Sequence, residues 1–164
     1  MGARTVVIGV GNEFRHDDGF GPAVLAALER VQALDARLDE VELRTCDGEP
    51  TRLIDLWNGA DLALVVDAAR AGETGAGQWF ELRLPDPEGV PNTTAVSSHG
   101  IGLGATVELA EALDMLPSRL VVLVGVGTDF GYGHGLSGPL AAAVPPVVHR
   151  ILHWLTAGPH GHRH

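Results

Sequence analysis

Apolar and polar positions alternate along this chain in blocks of two kinds. Short continuous apolar runs, rich in Val and Ile, are typical of buried strands, and the segments between them show the three-to-four-residue apolar spacing of helices. The pattern predicts strands over residues 5–9, 41–45, 62–66, 78–84 and 120–126. It predicts helices over residues 22–32, 50–58, 101–113 and a last one from near 140 to about 155.

The alternation of strands and helices indicates the class of fold. We predict an α/β protein: one three-layer α/β/α domain, with a central, mostly parallel twisted sheet of about five strands and helices on both faces. A chain of 164 residues fits one such domain, which we place at residues 1–157. Residues 158–164 carry three histidines and no apolar periodicity, and we expect a disordered His-rich tail there.

Charge and composition exclude several classes of partner. A net charge of -10 disfavours nucleic acid and anionic membranes, which repel an acidic protein, and leaves cations and metal-bearing proteins. Cys46 is the single cysteine, so an internal disulfide and a Cys-rich zinc site are excluded. No apolar run is long enough to span a bilayer, and the first residues lack an apolar leader segment. We therefore expect a cytoplasmic protein.

The first strand leads into a glycine-framed loop of unusual chemistry. Gly9-Val10-Gly11-Asn12 is followed by His16-Asp17-Asp18-Gly19-Phe20-Gly21. A Gly-x-Gly turn after a first strand suggests a dinucleotide-binding domain, but Asn12 to Arg15 offer no third glycine before the helix, and the two adjacent aspartates would repel a pyrophosphate. The loop is therefore better suited to a cation. Within it, we interpret His16 as a solvated loop residue and Asp17 as a residue that shapes the turn.

Three polar residues lie at or near the carboxyl ends of predicted strands, where open α/β sheets bind ligands. They are Asp18, Asp67 and His99. Each has a simpler interpretation, because an aspartate can cap a helix or form a turn and a histidine can flank a helix. Together, two carboxylates and an imidazole make a plausible set of ligands for a divalent metal, with coordination positions left open. Without thiolates, such a site would hold its metal modestly.

Four motifs in this order resemble the hydrogenase maturation endopeptidases, which process the large subunit of nickel–iron hydrogenases. The motifs are Gly9-Val10-Gly11-Asn12 with Asp17-Asp18-Gly19-Phe20-Gly21-Pro22, Asp67-Ala68, Ser98-His99-Gly100 and Gly135-Leu136-Ser137. The resemblance implies an aspartic-type endopeptidase that removes a C-terminal extension from the large-subunit precursor after nickel insertion. It also implies that Asp18, Asp67 and His99 are the metal ligands and the catalytic residues.

One segment departs from the commonest pattern of that family. Many members carry Asp-Gly-Gly-Thr after the second strand, whereas this chain has Asp47-Gly48-Glu49-Pro50-Thr51. The Gly-Glu-Pro form resembles the branch that serves bidirectional, NAD-linked hydrogenases. We assign substrate binding to Asn12 and Asp47, and whether Asp47 acts directly or only orients its loop stays open.

The resemblance leads to a hypothesis in which nickel is carried by the substrate and is not held permanently by the enzyme. The metal would then serve as a recognition element, and either Asp18 or Asp67 would be the general base for the attacking water. The expected partner is the large-subunit precursor, processed by a monomeric enzyme. The alternative is a non-enzymatic protein that binds or delivers nickel with the same three residues and the His-rich tail.

Overall fold

The structure is a computed structural model, and it describes residues 3–70, 75–84 and 103–157. The strands are β1 (Thr5–Val10), β2 (Glu42–Cys46), β3 (Leu62–Arg70), β4 (Trp79–Leu84) and β5 (Arg119–Gly127). The helices are α1 (Phe20–Gln32), α2 (Pro50–Trp57), α3 (Gly104–Ala112), the short α4 (Gly138–Ala141) and α5 (Val144–Thr156). Single turns of 3-10 helix lie at His16–Gly19 and Ala36–Leu38.

The described strands form one five-stranded sheet in the order β2-β1-β3-β5-β4. The pairs β1·β2, β1·β3 and β3·β5 are parallel, and β4 lies antiparallel to β5 at the edge. The predicted sheet is therefore confirmed. From β1 the chain moves outward to β2 and then crosses back to β3 on the other side of β1. This reversal makes the carboxyl ends of β1 and β3 a topological switch point, the usual place for a ligand crevice in such sheets.

Helices cover both faces of the sheet, as the apolar runs predict. Val7 of β1 packs in the same core cluster as residues of α1 and α5. Its neighbours Val6 and Ile8 pack in the opposite cluster with residues of α2 and α3. All three of these β1 side chains are fully buried, because both faces of a parallel sheet are covered by helices. This is why the strand has a continuous apolar run.

Two predicted boundaries are wrong. The third strand does not end at residue 66 but continues to Arg70, so Asp67 lies inside β3 and not at its end. The reason is that β3 pairs with β1 only as far as Val66, whereas its pairing with β5 continues to Arg70. The last helix is two helices, α4 and α5, because two prolines favour a new helix start in the first turn of α5.

Two predictions lie outside the described residues, namely the position of His99 and the nature of the tail at 158–164. Within the described ranges, no helix combines the length and the apolar character that crossing a bilayer requires.

Candidate functional site

The connection from β1 to α1 is packed against the ends of two strands. A Cβ atom added at Gly21 would lie 2.5 Å from the carbonyl oxygen of Val10 and 2.7 Å from that of Val66. At Gly11, where φ is +138°, an added Cβ would collide with the carbonyl oxygen of Asp18. The two glycines therefore let the loop fold back onto the sheet edge, and they bring Asp18 to the switch point.

Asp18 is half-buried in the 3-10 turn that precedes α1. Its Oδ2 atom accepts a hydrogen bond of 2.8 Å from the backbone N–H of Asn12. The Asn12 side chain in turn accepts a hydrogen bond of 2.9 Å from the backbone N–H of Phe14. Asn12 thus builds the loop with its side chain and holds Asp18 with its backbone, a role that spacing in the sequence does not reveal.

Asp67 is 8% exposed and lies one residue beyond the last pairing of β3 with β1. Its Oδ1 atom accepts a hydrogen bond of 2.8 Å from the backbone N–H of Ala68. Burial raises the pKa of Asp67 to about 7; the hydrogen bond from Ala68 opposes this rise, and repulsion from Asp18 adds to it. The structure thus brings two of the three predicted metal ligands into electrostatic contact.

Asp17 faces away from this pair and has a different environment. It is fully buried, and its Oδ1 atom accepts a hydrogen bond of 2.7 Å from the backbone N–H of Ser137. Its Oδ2 atom accepts three more, from the backbone N–H groups of Thr128 and Asp129 and from the Ser137 hydroxyl. Burial acts to raise the pKa of this carboxyl, but the hydrogen bonds outweigh it and lower that pKa. Asp17 therefore fastens residues 128–137 to the first loop.

His16 is partly exposed, as the sequence-based interpretation expects, but it also binds a second loop, which that interpretation does not include. It is half-buried, its backbone N–H donates to the carbonyl of Gly133 at 2.9 Å, and its Nδ1 lies 3.0 Å from the carbonyl oxygen of Gly135. Its φ of +44° is a strained conformation for a non-glycine residue. These contacts join the loop after β1 to the loop after β5, an association between segments more than a hundred residues apart.

A cavity of about 410 Å³ opens between the loop after β1 and the loop after β2, and Asn12, Asp47 and Arg52 are among its lining residues. Asp47 is exposed and forms an ion pair of 2.9 Å with Arg52. The backbone hydrogen bond from Glu49 and the charge of Arg52 lower the pKa of Asp47. The structure thus places both predicted substrate-binding residues on the wall of one cavity.

The Gly48-Glu49-Pro50 variation has a local structural reason. The Glu49 carboxylate accepts hydrogen bonds from the backbone N–H groups of Thr51 and Arg52, so Glu49 caps the N-terminus of α2. Pro50 occupies the first turn, where its missing N–H has no consequence. The segment therefore fixes the start of α2 and, through Arg52, the orientation of Asp47.

The donor set at the switch point fits a divalent cation only in part within the described residues. Asp18 and Asp67 supply carboxylate oxygens, and no group of three or more His, Cys, Asp or Glu side chains that could hold a metal occurs among the residues that the structure describes. A third ligand from His99 would come from outside them. Two carboxylates leave most coordination positions open, as suits a metal that arrives with other ligands.

Fold and site together define an α/β domain that carries two carboxylates, Asp18 and Asp67, at the switch point of its sheet. The chain belongs to the hydrogenase maturation protease family, because the family model of that description matches residues 28–154. The matched residues include the positions of Asp67 and His99 and begin after Asp18. The protein is accordingly a peptidase of that family.

Individual proteins agree with this assignment. The chain is 28% identical over 152 residues to the Hydrogenase 2 maturation protease of Escherichia coli (strain K12), covering 91% of this chain and 88% of that protein. It is 26% identical over 170 residues to the hydrogenase expression/formation protein HupD of Rhizobium leguminosarum bv. viciae, covering 96% of this chain and 80% of that protein.

Solved structures share the fold. The hydrogenase maturating endopeptidase HybD from Escherichia coli superposes with a TM-score of 0.73 at 22% identity, covering 95% of this chain and 94% of that one. The [NiFe] hydrogenase maturation protease HybD from Thermococcus kodakarensis gives a TM-score of 0.69 at 18% identity, covering 93% and 99%.

Proposed function

We propose that this protein is the endopeptidase that removes the C-terminal extension of a nickel–iron hydrogenase large-subunit precursor once nickel has been inserted. In this proposal the nickel belongs to the substrate, and Asp18, Asp67 and His99 complete its coordination. Only the nickel-loaded precursor is then held in position for cleavage. Membership of the maturation protease family supports the reaction class.

One observation carries the proposal, namely the pairing of Asp18 and Asp67 at the switch point of the sheet. Their repulsion contributes to the raised pKa of Asp67. Across residues 3–70, 75–84 and 103–157, no basic side chain forms an ion pair with either carboxylate. A divalent cation between them would relieve the repulsion and favour both charged forms. The pair therefore favours a partner that brings its own metal.

The chemistry follows from ordinary peptide hydrolysis. A water oxygen attacks the scissile carbonyl carbon while a carboxylate takes the water proton. The C–N bond then breaks, and the proton passes to the departing amine. Asp18 and Asp67 both qualify as the base by position, because a nearby divalent cation favours the charged form of both carboxylates, and that form accepts a proton.

The cavity beside the carboxylate pair offers a place for the substrate chain near the cleaved bond. Its wall combines the backbone of the first loop with the ion-paired side chains of Asp47 and Arg52. In the proposed complex Asn12 and Asp47 contact this segment. Holding the carbonyl close to the attacking water contributes to the rate through proximity.

The test compares nickel-loaded and nickel-free precursors incubated with the purified protein, with the products weighed by mass spectrometry. We expect one cut, in the nickel-loaded form only. Asp18→Ala should abolish the cut and leave the fold intact, whereas Asp55→Asn, at an exposed position on α2, should cleave like the parent. Equal cleavage of both precursor forms would refute recognition of nickel, and cleavage of neither would refute the proposed substrate.

The same preparation separates the enzyme from a nickel-delivery protein. An enzyme that meets nickel on its substrate should contain little tightly bound metal after purification. Stoichiometric nickel in the isolated protein, together with uncut precursor, would favour delivery of the metal instead.

A further inference from the structure

A cluster of arginine and aromatic side chains lies at the same edge of the sheet as the carboxylate pair. We call it the arginine–aromatic surface, and it consists of Arg15, Arg70, Phe130 and Tyr132. The guanidinium carbon of Arg15 lies 5.0 Å from the ring centre of Tyr132, and that of Arg70 lies 4.7 Å from the ring centre of Phe130. Arg15 also donates a hydrogen bond of 3.2 Å from Nε to the carbonyl of Phe130. The four residues therefore form one continuous patch.

The backbone that carries this patch is fixed in place. Arg15 forms a parallel bridge with Gly133, and the N–H of Gly133 donates to the carbonyl of Phe14 at 2.9 Å. The carboxylate of Asp17 binds the N–H groups at the start of the same loop. A surface that is already ordered loses little conformational entropy when a partner binds.

The two guanidinium groups are available for an anionic ligand. Both arginines are exposed, and Tyr132 is 87% exposed. Among the residues that the structure describes, neither arginine forms an ion pair, whereas Arg4, Arg52 and Arg150 each pair with a carboxylate. Arginine held over an aromatic ring presents a planar fork of donors that matches a carboxylate. Arginine and tyrosine are also the residues that most often dominate binding at protein interfaces.

The position of the patch connects it to the candidate site. Arg15 precedes Asp18 by three residues, and Arg70 follows Asp67 by three residues at the end of β3. Three residues of a strand span about 10 Å, so a folded protein whose metal reaches the two aspartates is large enough to contact the two arginines as well. The chain as a whole carries a net charge of -10, so these arginines form a local exception to its repulsion of acidic partners.

We propose that the arginine–aromatic surface is a docking site for acidic side chains of the substrate protein, next to the metal that the substrate carries. This proposal rests on the proposed function, since the docking partner is the same precursor. The surface binds a part of the folded precursor that is distinct from the peptide bond to be cleaved. It contributes to affinity and orientation, and it takes no part in the chemical step.

The experiment measures initial cleavage rates against the concentration of nickel-loaded precursor for the parent and for the double variant Arg15→Gln/Arg70→Gln. We expect KM to rise about tenfold and kcat to stay within about twofold, because the lost contacts act in binding and not in the chemistry. Raising the ionic strength should raise KM for the parent much more than for the double variant. Arg30→Gln removes one positive charge by the same substitution, from an exposed position at the end of α1, and should keep the parent KM.

The conservative variant Arg15→Lys/Arg70→Lys keeps the charge but loses the planar fork of donors. Its KM should therefore lie between that of the parent and that of the double Gln variant. Thermal melting of every variant identifies any that does not fold. If the Gln variant does not fold, the KM of the Lys variant is compared with that of the parent instead. If the parent cleaves and the Gln variant keeps the parent KM, the docking site is refuted and the proposed function stands. A KM rise that does not depend on ionic strength would also refute an acidic partner. If the parent itself does not cleave, the proposed function fails.

Discussion

Asp17 and Asp67 are both buried carboxylates at the same edge of the sheet, but their surroundings are opposite. Asp17 accepts four hydrogen bonds from residues 128–137, and its pKa is lowered in spite of burial. Asp67 accepts one hydrogen bond, from its own neighbour Ala68, and faces Asp18, so its pKa is raised to about 7. Hydrogen bonds from within the protein thus compensate the buried charge of Asp17, whereas the carboxylate of Asp67 has room for a further binding partner.

This difference is the one expected between a carboxylate with a structural role and one with a role in function. A buried charge that is fully hydrogen-bonded makes the surrounding structure rigid, whereas a buried charge without compensation persists where function requires it. The residues 17 and 18 are adjacent in sequence, so the local sequence alone does not assign their roles. The partners assign them, because Asp17 turns toward the loop after β5 and Asp18 toward β3.

The largest effect is expected for Asp67→Asn in the processing reaction. The amide keeps the size of the side chain but cannot take a proton or bind a cation as a carboxylate does. We expect the cleavage rate to fall by at least about a thousandfold, equivalent to ~4 kcal/mol of transition-state stabilisation. Mass spectrometry of the precursor measures the rate, with Asp55→Asn as the matched control. Parent-like cleavage would remove Asp67 from the site.

The same Asp67→Asn variant should be more stable than the parent at alkaline pH. Because the pKa of Asp67 is raised in the folded protein, its stabilising contribution is complete below the unfolded value of 3.8 and is lost as pH rises through about 7. The advantage of the variant in free energy of unfolding should be on the order of 2 kcal/mol larger at about pH 8 than at about pH 5. Urea unfolding at both pH values measures it, and a difference independent of pH would contradict the assigned environment of Asp67.

Asp17→Ala should have the opposite effect, a loss of stability of about 3 kcal/mol, because it leaves several buried donors without an acceptor. The lowered pKa of Asp17 gives a contribution that is present above its unfolded value and is lost as pH falls through the folded one. The loss should therefore be greatest near neutral pH. Asp18→Ala, which removes one hydrogen bond to Asn12, is the comparison and should cost less in urea unfolding. Equal losses would show that Asp17 has no special structural role.

The smallest effect is expected for Ser137→Ala. The variant removes the hydroxyl hydrogen bond to Asp17 but keeps the backbone one from the same residue. We expect a loss of about 1 kcal/mol in the free energy of unfolding and unchanged cleavage. A large loss of cleavage at normal stability would mean that Ser137 acts in the reaction itself.

Most of the fold could be predicted from the sequence, because a fully buried parallel strand requires an apolar run and β1 and β5 supply one. The end of β3 could not, since the charged Asp67 interrupts the apolar run and Ala68 and Ala69 are not β-branched, and only the pairing with β5 extends the strand. Of the site, the closeness of Asp18 and Asp67 follows from the general position of ligands in such sheets. His99 stays a prediction.

The contacts of Asp17 and His16 could not be predicted in the same way. Both residues bind backbone groups of a loop more than a hundred residues away, and a backbone group leaves no trace in the side-chain pattern. The motif Gly135-Leu136-Ser137 was the available signal, since it contains both acceptor and donor for these contacts. Its meaning depends on the loop after β1, which only the folded chain brings to it.

Gly21 determines how precisely the two aspartates are placed. Because it has no side chain, the first turn of α1 rests directly on the backbone of Val10 and Val66, the residues that end the β1 pairing. The distance between Asp18 and Asp67 therefore depends on a contact between backbone atoms, and it does not depend on the size of the neighbouring side chains. A single added methyl group at residue 21 would press on the carbonyl oxygens of Val10 and Val66 and would displace the first turn of α1 from the sheet edge.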